Sequence, residues 1–369
     1  MRTLHVFTLQ SPENAFGGPI RVALNLSSEL KKRGFKVELL GGCRGYEIAP
    51  SELEETSAHL FPVRQIHEKL GFSGIFSISL LSWAWRNVRN YDIVHVHMAR
   101  DLITLPVAFI CKVRKVPYVI QGHGMIDPTT KPAGRVLDAL LVKRVLRGAR
   151  RLLFLTEQEK QDYPAVAGGS LDTLTFLPNG VPSQSRAVQQ NRSTISYISR
   201  LQARKRPERF VEMARQLIAN GITADFKIAG ADEGELRKVK TRIAECGIGE
   251  KVTYLGAKNH QEVLGLLAET AVLVLPSINE PFPMIVLEAI SLGVPVVITD
   301  TCGLAPYIQQ GIAGIVTDGS VEQLSSATSQ ILVQLSEYSA NAKSLAEAKF
   351  SMAQIGDDLV SIYSDAVSS

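Results

Sequence analysis

No apolar run in this 369-residue chain approaches the roughly 20 residues needed to cross a bilayer. The opening residues, MRTLHVFTLQ, read as a short strand without the apolar core or cleavage site of a secretion signal. Cysteine is scarce and scattered. Cys43, Cys111, Cys246 and Cys302 form no C-x-x-C pair, which argues against a zinc site or a disulfide framework and suits a reducing cytoplasm. No G-x-G-x-x-G follows the first strand, so a nicotinamide dehydrogenase is disfavoured. Neither charge sign dominates, since the net is only +4, but the distribution is uneven. Residues 1–180 carry +7 and residues 181–369 carry −3. A basic first half suits an anionic membrane face or a phosphate-bearing substrate, and equally ordinary surface charge; no nucleic-acid partner is expected.

What the chain does contain is alternation. TLHVFTL, KVELL, DIVHVHM, PYVIQGHG, RLLFLT and TLTFLPNG are apolar strands separated by helical stretches, the first of them a helix over 19–33. The pattern restarts with TISYIS and continues through DFKIAG, KVTYLG, AVLVLP, PVVIT and AGIVT. Such alternation predicts α/β architecture, with parallel sheets covered by helices on both faces, and the restart predicts two doubly wound domains. The polar stretch VPSQSRAVQQNRS between them reads as a linker. The expected domains are 1–181 and 194–350, with the linker at 182–193. A last segment at 351–369 carries Ile355, Leu359, Ile362 and Tyr363 on one helical stripe. Two such domains facing each other would bind ligands at their strand C-termini.

Four groups of residues fall at those strand ends. Gly17 and Gly18 precede Pro19 at a helix start, where backbone can approach an anion closely; a plain tight turn is the competing explanation. Arg200 ends a strand, and Lys205, beside Arg204 and Arg206, precedes a helix begun by Pro207, so cations converge as they would on pyrophosphate. A solvated basic face is the alternative. Glu280 precedes the helix 284–292, Glu288 lies within it among apolar residues, and Gly293 stops it. Carboxylates accept several hydrogen bonds and so suit sugar and ribose hydroxyls. A loop carboxylate aided by the helix dipole, or a salt bridge from Glu288 to a Lys or Arg, would explain them structurally. Fourth, His123 sits between two glycines in QGHGMID.

SRLQARKRPE, IAGADEGEL, VTYLG and NEPFPMIVLEAISLGVPVV, with GGP, DIVHVH, GHGMIDP and PNGV before them, resemble in order the group 1 (family four) bacterial polysaccharide glycosyltransferases. These are retaining enzymes of the GT-B fold, and the resemblance spans nearly the whole chain. It implies two Rossmann-like domains facing across a cleft, with a C-terminal helix crossing back to the first. The reaction it implies moves a sugar from a nucleoside-diphosphate sugar to a saccharide or lipid-linked acceptor, in cell-envelope, exopolysaccharide or O-antigen synthesis. Domain closure about the linker and the C-terminal helix would exclude water. Arg200 and Lys205 would stabilise the departing diphosphate, Glu280 would contact the donor sugar, and Glu288 would hold the ribose. The backbone N–H groups of Phe282, Met284 and Ile285 would assist, Gly230 would let the nucleotide approach, and His123 would lie near the reacting sugar. No metal or other cofactor is expected, and no D-x-D carboxylate pair is present.

His95 and His97 are read as facing opposite sides of their sheet, with His97 nearer the ligand. Thr156 and Glu159 are read as a structural capping box, and Asn179 with Gly180 as a turn of positioning value. Near TCGLAPYIQQGIAG, Cys302, Gly303 and Pro306 depart from the Gly-Gly-then-Glu pattern common in relatives, which puts local donor contacts in doubt. Residues 71–89 and 143–151 read as core helices or, alternatively, as a basic, apolar surface for a peripheral contact at the inner face of the cell membrane. The rival functions are a sugar-nucleotide epimerase of the same architecture and a non-catalytic sugar-nucleotide-binding subunit.

Overall fold

A computed structural model describes residues 1–12, 17–130, 132–184 and 192–368. Residues 185–191 of the expected linker lie outside the described residues. The chain forms two compact units. The first comprises residues 1–12, 17–180 and 352–368, and the second residues 181–184 and 192–351.

The first unit is built on strands β1 (Arg2–Gln10), β2 (Lys36–Cys43), β3 (Glu52–Leu53) and β4 (Thr56–Pro62), a small hairpin of β5 (Arg64–Gln65) with β6 (Ile75–Phe76), and β7 (Ile93–His97), β8 (Tyr118–Gln121), β9 (Arg151–Phe154) and β10 (Leu174–Phe176). Eight of them make one sheet in the order β10-β9-β8-β7-β1-β2-β4-β3, parallel except for the β3–β4 pair. Alternate residues of β1 serve opposite faces. Leu4 and Val6 join a core with Val94, Val96 and the helix Thr104–Arg114, while Phe7 packs with Ile20, Ala23 and Leu24 of the helix Gly17–Lys32. The closing helix Met352–Ser368 lies beside Gly17–Lys32, where Arg33 pairs with Asp357 at 2.8 Å. Its Gly356 allows close approach, since a Cβ there would sit 2.7 Å from the Glu29 side chain. The sheet order reverses between β1 and β7, and their C-terminal ends mark the switch point where such sheets take ligands.

Within residues 71–89 the helix Ile78–Asn87 buries Leu80 and Ala84, with Leu81 and Trp83 against the core, while Ile78 and Trp85 remain exposed. Val145 and Leu146 of the 143–151 stretch are wholly buried. Both stretches therefore serve the core. No helix among the described residues is long and apolar enough to cross a membrane.

The second unit carries β11 (Thr194–Ile198), β12 (Asp225–Ala229), β13 (Val252–Tyr254), β14 (Thr270–Leu275), β15 (Val296–Thr299) and β16 (Gly314–Thr317). They form a wholly parallel sheet in the order β13-β12-β11-β14-β15-β16. Ile195, Tyr197, Phe226, Val272 and Val274 pack against Phe210, Val211 and Leu217 of the helix Pro207–Ala219 and Leu324 of the helix Val321–Val333. Here the order reverses between β11 and β14.

Candidate functional site

The loops leaving β11 and β14 meet at the switch point of the second unit. After β11 the chain passes Arg200, turns through Ala203–Lys205 and enters Pro207–Ala219 by way of Arg206, whose φ is 50°. After β14 it reaches Asn279, also left-handed at φ 50°, and then Glu280. Ile278 N donates to Arg204 O at 3.0 Å, and Gly303 N donates to Glu280 O at 2.8 Å. The segment with Cys302 and Gly303, which departs from the family pattern, thus braces the Glu280 backbone.

Lys205 Nζ donates to Glu280 Oε2. Arg204 Nη1 reaches the same oxygen at 3.1 Å and Asn279 O at 2.8 Å. Glu280 Oε1 makes no hydrogen bond to the described residues. Both Lys205 and Glu280 are buried. Burial pushes the Lys205 ammonium below its usual range, and the Glu280 carboxylate opposes that shift. Arg200 Nη1 pairs with Glu233 Oε1 at 2.7 Å, so its charge is engaged by a side chain that sequence reasoning passed over.

The helix Met284–Ser291 begins after Pro283, whose side chain cannot cap it, and the first-turn N–H groups of Met284 and Ile285 have no side-chain acceptor among the described residues. Phe282 is buried edge-on against Phe350, with centroids 5.9 Å apart. Glu288, only 6% exposed, has the His260 imidazole beside it, with His260 Nδ1 3.6 Å from Glu288 Oε1. Gly230 is demanded by the protein's own backbone. Its φ is 151°, and a Cβ there would stand 1.9 Å from Ser199 O. Gly230→Ala should therefore destabilise the second unit by about 3 kcal/mol or more, and a thermal melt unchanged from wild type would refute this.

In the first unit, Gly122–His123–Gly124 follows β8. His123 and Gly124 have φ of 53° and 72°. A Cβ on Gly122 would stand 2.6 Å from the Tyr163 hydroxyl and 2.9 Å from Glu159 Oε1. The reading of Thr156 and Glu159 as a reciprocal capping box needs correction. Thr156 Oγ1 accepts from Glu159 N at 3.2 Å, but the Glu159 carboxylate takes Leu155 N and Gly124 N at 2.8 and 2.9 Å. Glu159 therefore holds the His123 turn; burial raises its pKa, and those bonds oppose the rise. In the turn of Asn179 and Gly180, Asn179 Oδ1 accepts from Gln121 Nε2 at 3.1 Å, and Gly180 O accepts from Asn25 Nδ2.

The placing of His95 and His97 on opposite faces is wrong. Residues two apart on a strand share a face, and their rings stack at 4.4 Å with 7° between planes. His97 Nδ1 lies 2.9 Å from His123 Nε2. The helix expected from Pro19 begins at Gly17, so Gly17 and Gly18 form its first turn, and a Cβ on Gly18 would meet nothing within 4 Å. No contact with the described residues requires glycine at Gly18. Arg200, Lys205 and Glu280 thus come together in the second unit, with Phe282, Met284, Ile285 and Glu288 following on the same segment; His123, Gly17 and Gly18 belong to the first.

Residues 183–347 match the family of glycosyl transferases group 1, and residues 16–185 match glycosyltransferase family 4. The alpha-D-kanosaminyltransferase of Streptomyces kanamyceticus is 30% identical over 324 residues, covering 79% of this chain and 83% of that protein. The D-inositol 3-phosphate glycosyltransferase of Corynebacterium jeikeium is 23% identical, over 86% of this chain and 84% of its own. HepE of Anabaena, solved with UDP-glucose, has the same fold, with a TM-score of 0.78 at 17% identity over 99% of each chain. The chain belongs to the group 1 glycosyltransferases of the GT-B fold.

Proposed function

We propose that the chain is a retaining, metal-independent glycosyltransferase that moves a sugar from a nucleoside-diphosphate sugar to an acceptor hydroxyl. A saccharide or lipid-linked acceptor in cell-envelope, exopolysaccharide or O-antigen synthesis is the proposed context, with peripheral contact at the inner membrane face. The observation that carries this reading is the meeting of Lys205 and Arg204 on one oxygen of Glu280, with Arg200 nearby in sequence, at the C-terminal ends of β11 and β14. A departing diphosphate gains negative charge in the transition state, and fixed cations favour that state over the bound substrate. Lys205 and Arg204 supply such charge where a divalent cation otherwise would. Arg200 would exchange Glu233 for phosphate. Glu280 Oε1 is the acceptor for donor-sugar hydroxyls, Glu288 holds the ribose, and the Met284 and Ile285 N–H groups take phosphate oxygen. Gly17, Gly18 and Gly230 would allow close approach of the donor, and His123 would contact the transferred sugar. That HepE was solved with UDP-glucose supports a nucleotide-sugar donor.

The test is a thermal-shift panel of nucleoside diphosphates followed by product mass spectrometry. Stabilisation by at least one nucleotide, and a sugar transferred undiminished in EDTA, are expected; no stabilisation by any nucleotide overturns the reading. Glu288→Ala should weaken nucleoside-diphosphate binding about tenfold, or ~1.4 kcal/mol, while leaving pyrophosphate binding unchanged. Equal losses for both ligands in calorimetry would remove the ribose assignment.

A further inference from the structure

Five side chains of the first unit form an unbroken hydrogen-bonded file for which the proposed transfer assigns a role only to His123. His123 Nε2 lies 2.9 Å from His97 Nδ1, and His97 Nε2 lies 3.1 Å from His5 Nδ1. His5 Nε2 is 3.2 Å from the Tyr363 hydroxyl, which is 2.7 Å from His95 Nδ1. His5, His95, His97 and Tyr363 are at most 1% exposed. Strand register explains the assembly: His5 of β1 pairs with His95 of β7, His97 follows on the same face, and the helix Met352–Ser368 brings Tyr363 onto it.

A metal ion is the obvious thought, because nitrogen atoms of His5, His95 and His97 lie within 4.8 Å of one another, the one such group among the described residues. The ring geometry opposes it. Imidazole lone pairs lie in the ring plane, and the planes of His95 and His97 are nearly parallel and stacked, so one ion cannot lie in both. His5 and His97 instead share a direct hydrogen bond.

Burial keeps all four imidazoles neutral, with His5 and His123 pushed down to about 3 and His95 and His97 held well below their ordinary value. A neutral imidazole has one N–H and one bare nitrogen. In single file each ring donates at one end and accepts at the other, so a direction set at one terminus is transmitted to the next. Two buried atoms set it here, His95 Nε2 and Gln121 Oε1, neither of which meets strict hydrogen-bond geometry with any described residue. The Gln121 side chain neighbours His95, and its Nε2 is committed to Asn179. Against the lowering by burial, the Gln121 side chain raises the His95 pKa, as an acceptor close to the ring does, and Oε1 is its uncommitted acceptor; a proton on His95 Nε2, the ring nitrogen outside the file, is therefore favoured over a lone pair. Nδ1 of His95 then accepts from Tyr363, Tyr363 accepts from His5 Nε2, His5 Nδ1 accepts from His97 Nε2, and His97 Nδ1 accepts from His123 Nε2. His123 Nδ1 makes no hydrogen bond to the described residues.

We infer that this file fixes His123 as its Nε2–H tautomer, presenting a bare Nδ1 as hydrogen-bond acceptor to a substrate hydroxyl, with Tyr363, His5, His97, His95 and Gln121 as positioning residues. The substrate part rests on the proposed sugar-contacting role of His123, and the tautomer does not. Glu159 holds the left-handed His123 turn, and the contact of His123 Nε2 with His97 holds the ring.

The direct test is the long-range proton–nitrogen NMR spectrum of protein labelled with nitrogen-15 histidine, with His123 assigned by its loss in His123→Asn. A protonated Nε2 and a bare Nδ1 are expected in the substrate-free wild type; a protonated Nδ1 overturns the proposal. Tyr363→Phe removes the link, so His123 should become a mixture of tautomers and kcat should fall about tenfold, with nucleoside-diphosphate Kd unchanged. A single Nε2–H tautomer retained with wild-type kcat in that variant also overturns it. The Nε2–H tautomer in a wild-type protein that transfers no sugar would uphold the file and overturn the proposed function instead.

Discussion

Lys205→Ala should lower kcat/KM by about 100-fold, ~2.7 kcal/mol of transition-state stabilisation, if Lys205 meets the departing diphosphate. Two effects add. The variant removes a buried cation from the proposed leaving-group site, and it leaves the Glu280 carboxylate with Arg204 alone at 3.1 Å. An underpaired carboxylate would repel the very diphosphate that Lys205 attracts. Lys205→Ala together with Glu280→Gln separates the two: if electrostatic repulsion by Glu280 dominates, the double variant regains part of the diphosphate affinity lost in the single one. Turnover and affinity both within twofold of wild type in Lys205→Ala would remove Lys205 from the reaction. The expected loss lies mainly in kcat, because an interaction that strengthens as charge develops is felt most in the transition state.

Acid should unfold the first unit well above the usual carboxylate range. His5 and His123 titrate at about 3 in the folded chain, and His95 and His97 well below their ordinary value, through burial. In the unfolded chain each would titrate near 6.5. Below that pH the unfolded chain binds protons that the folded chain refuses. The stability these groups confer is thus complete above about pH 7 and is lost as pH falls through 6.5 towards 3. The three fully buried histidines alone would cost roughly 3–4 kcal/mol between pH 7.5 and 5.5. Asp101 and Glu159, whose pKa values burial raises, offset part of that loss. Both tryptophans, Trp83 and Trp85, lie in the first unit, so urea denaturation followed by tryptophan fluorescence reads this transition. The midpoint should drop sharply at pH 5.5, and equal midpoints at the two pH values would contradict a neutral histidine file.

Much of the second-unit site was legible in the linear chain. Arg200 and Lys205 follow one strand and Glu280 follows another, and in a doubly wound sheet the strand C-termini are where ligands gather. The spacing of Glu280 and Glu288 likewise placed one glutamate before a helix and the other inside it, where the structure has them. What spacing did not show was pairing. Glu233 and Gly303 reach their partners from other loops and His260 from the start of the helix His260–Glu269, and the capping-box pattern of Thr156 and Glu159 hid a carboxylate that turns towards Gly124.

The sequence by itself determined the two α/β units, their family and the strand ends at which Arg200, Lys205 and Glu280 emerge. These follow from apolar periodicity and turn residues, which act over a few positions of chain. Only the tertiary structure decided the company of His123. His5, His97 and Tyr363 come from two strands and a helix separated by up to 358 residues, and they meet because sheet register aligns them and the closing helix returns to cover that face. Local patterning sets what each segment becomes; packing between distant segments sets which polar atoms must satisfy one another once water is excluded.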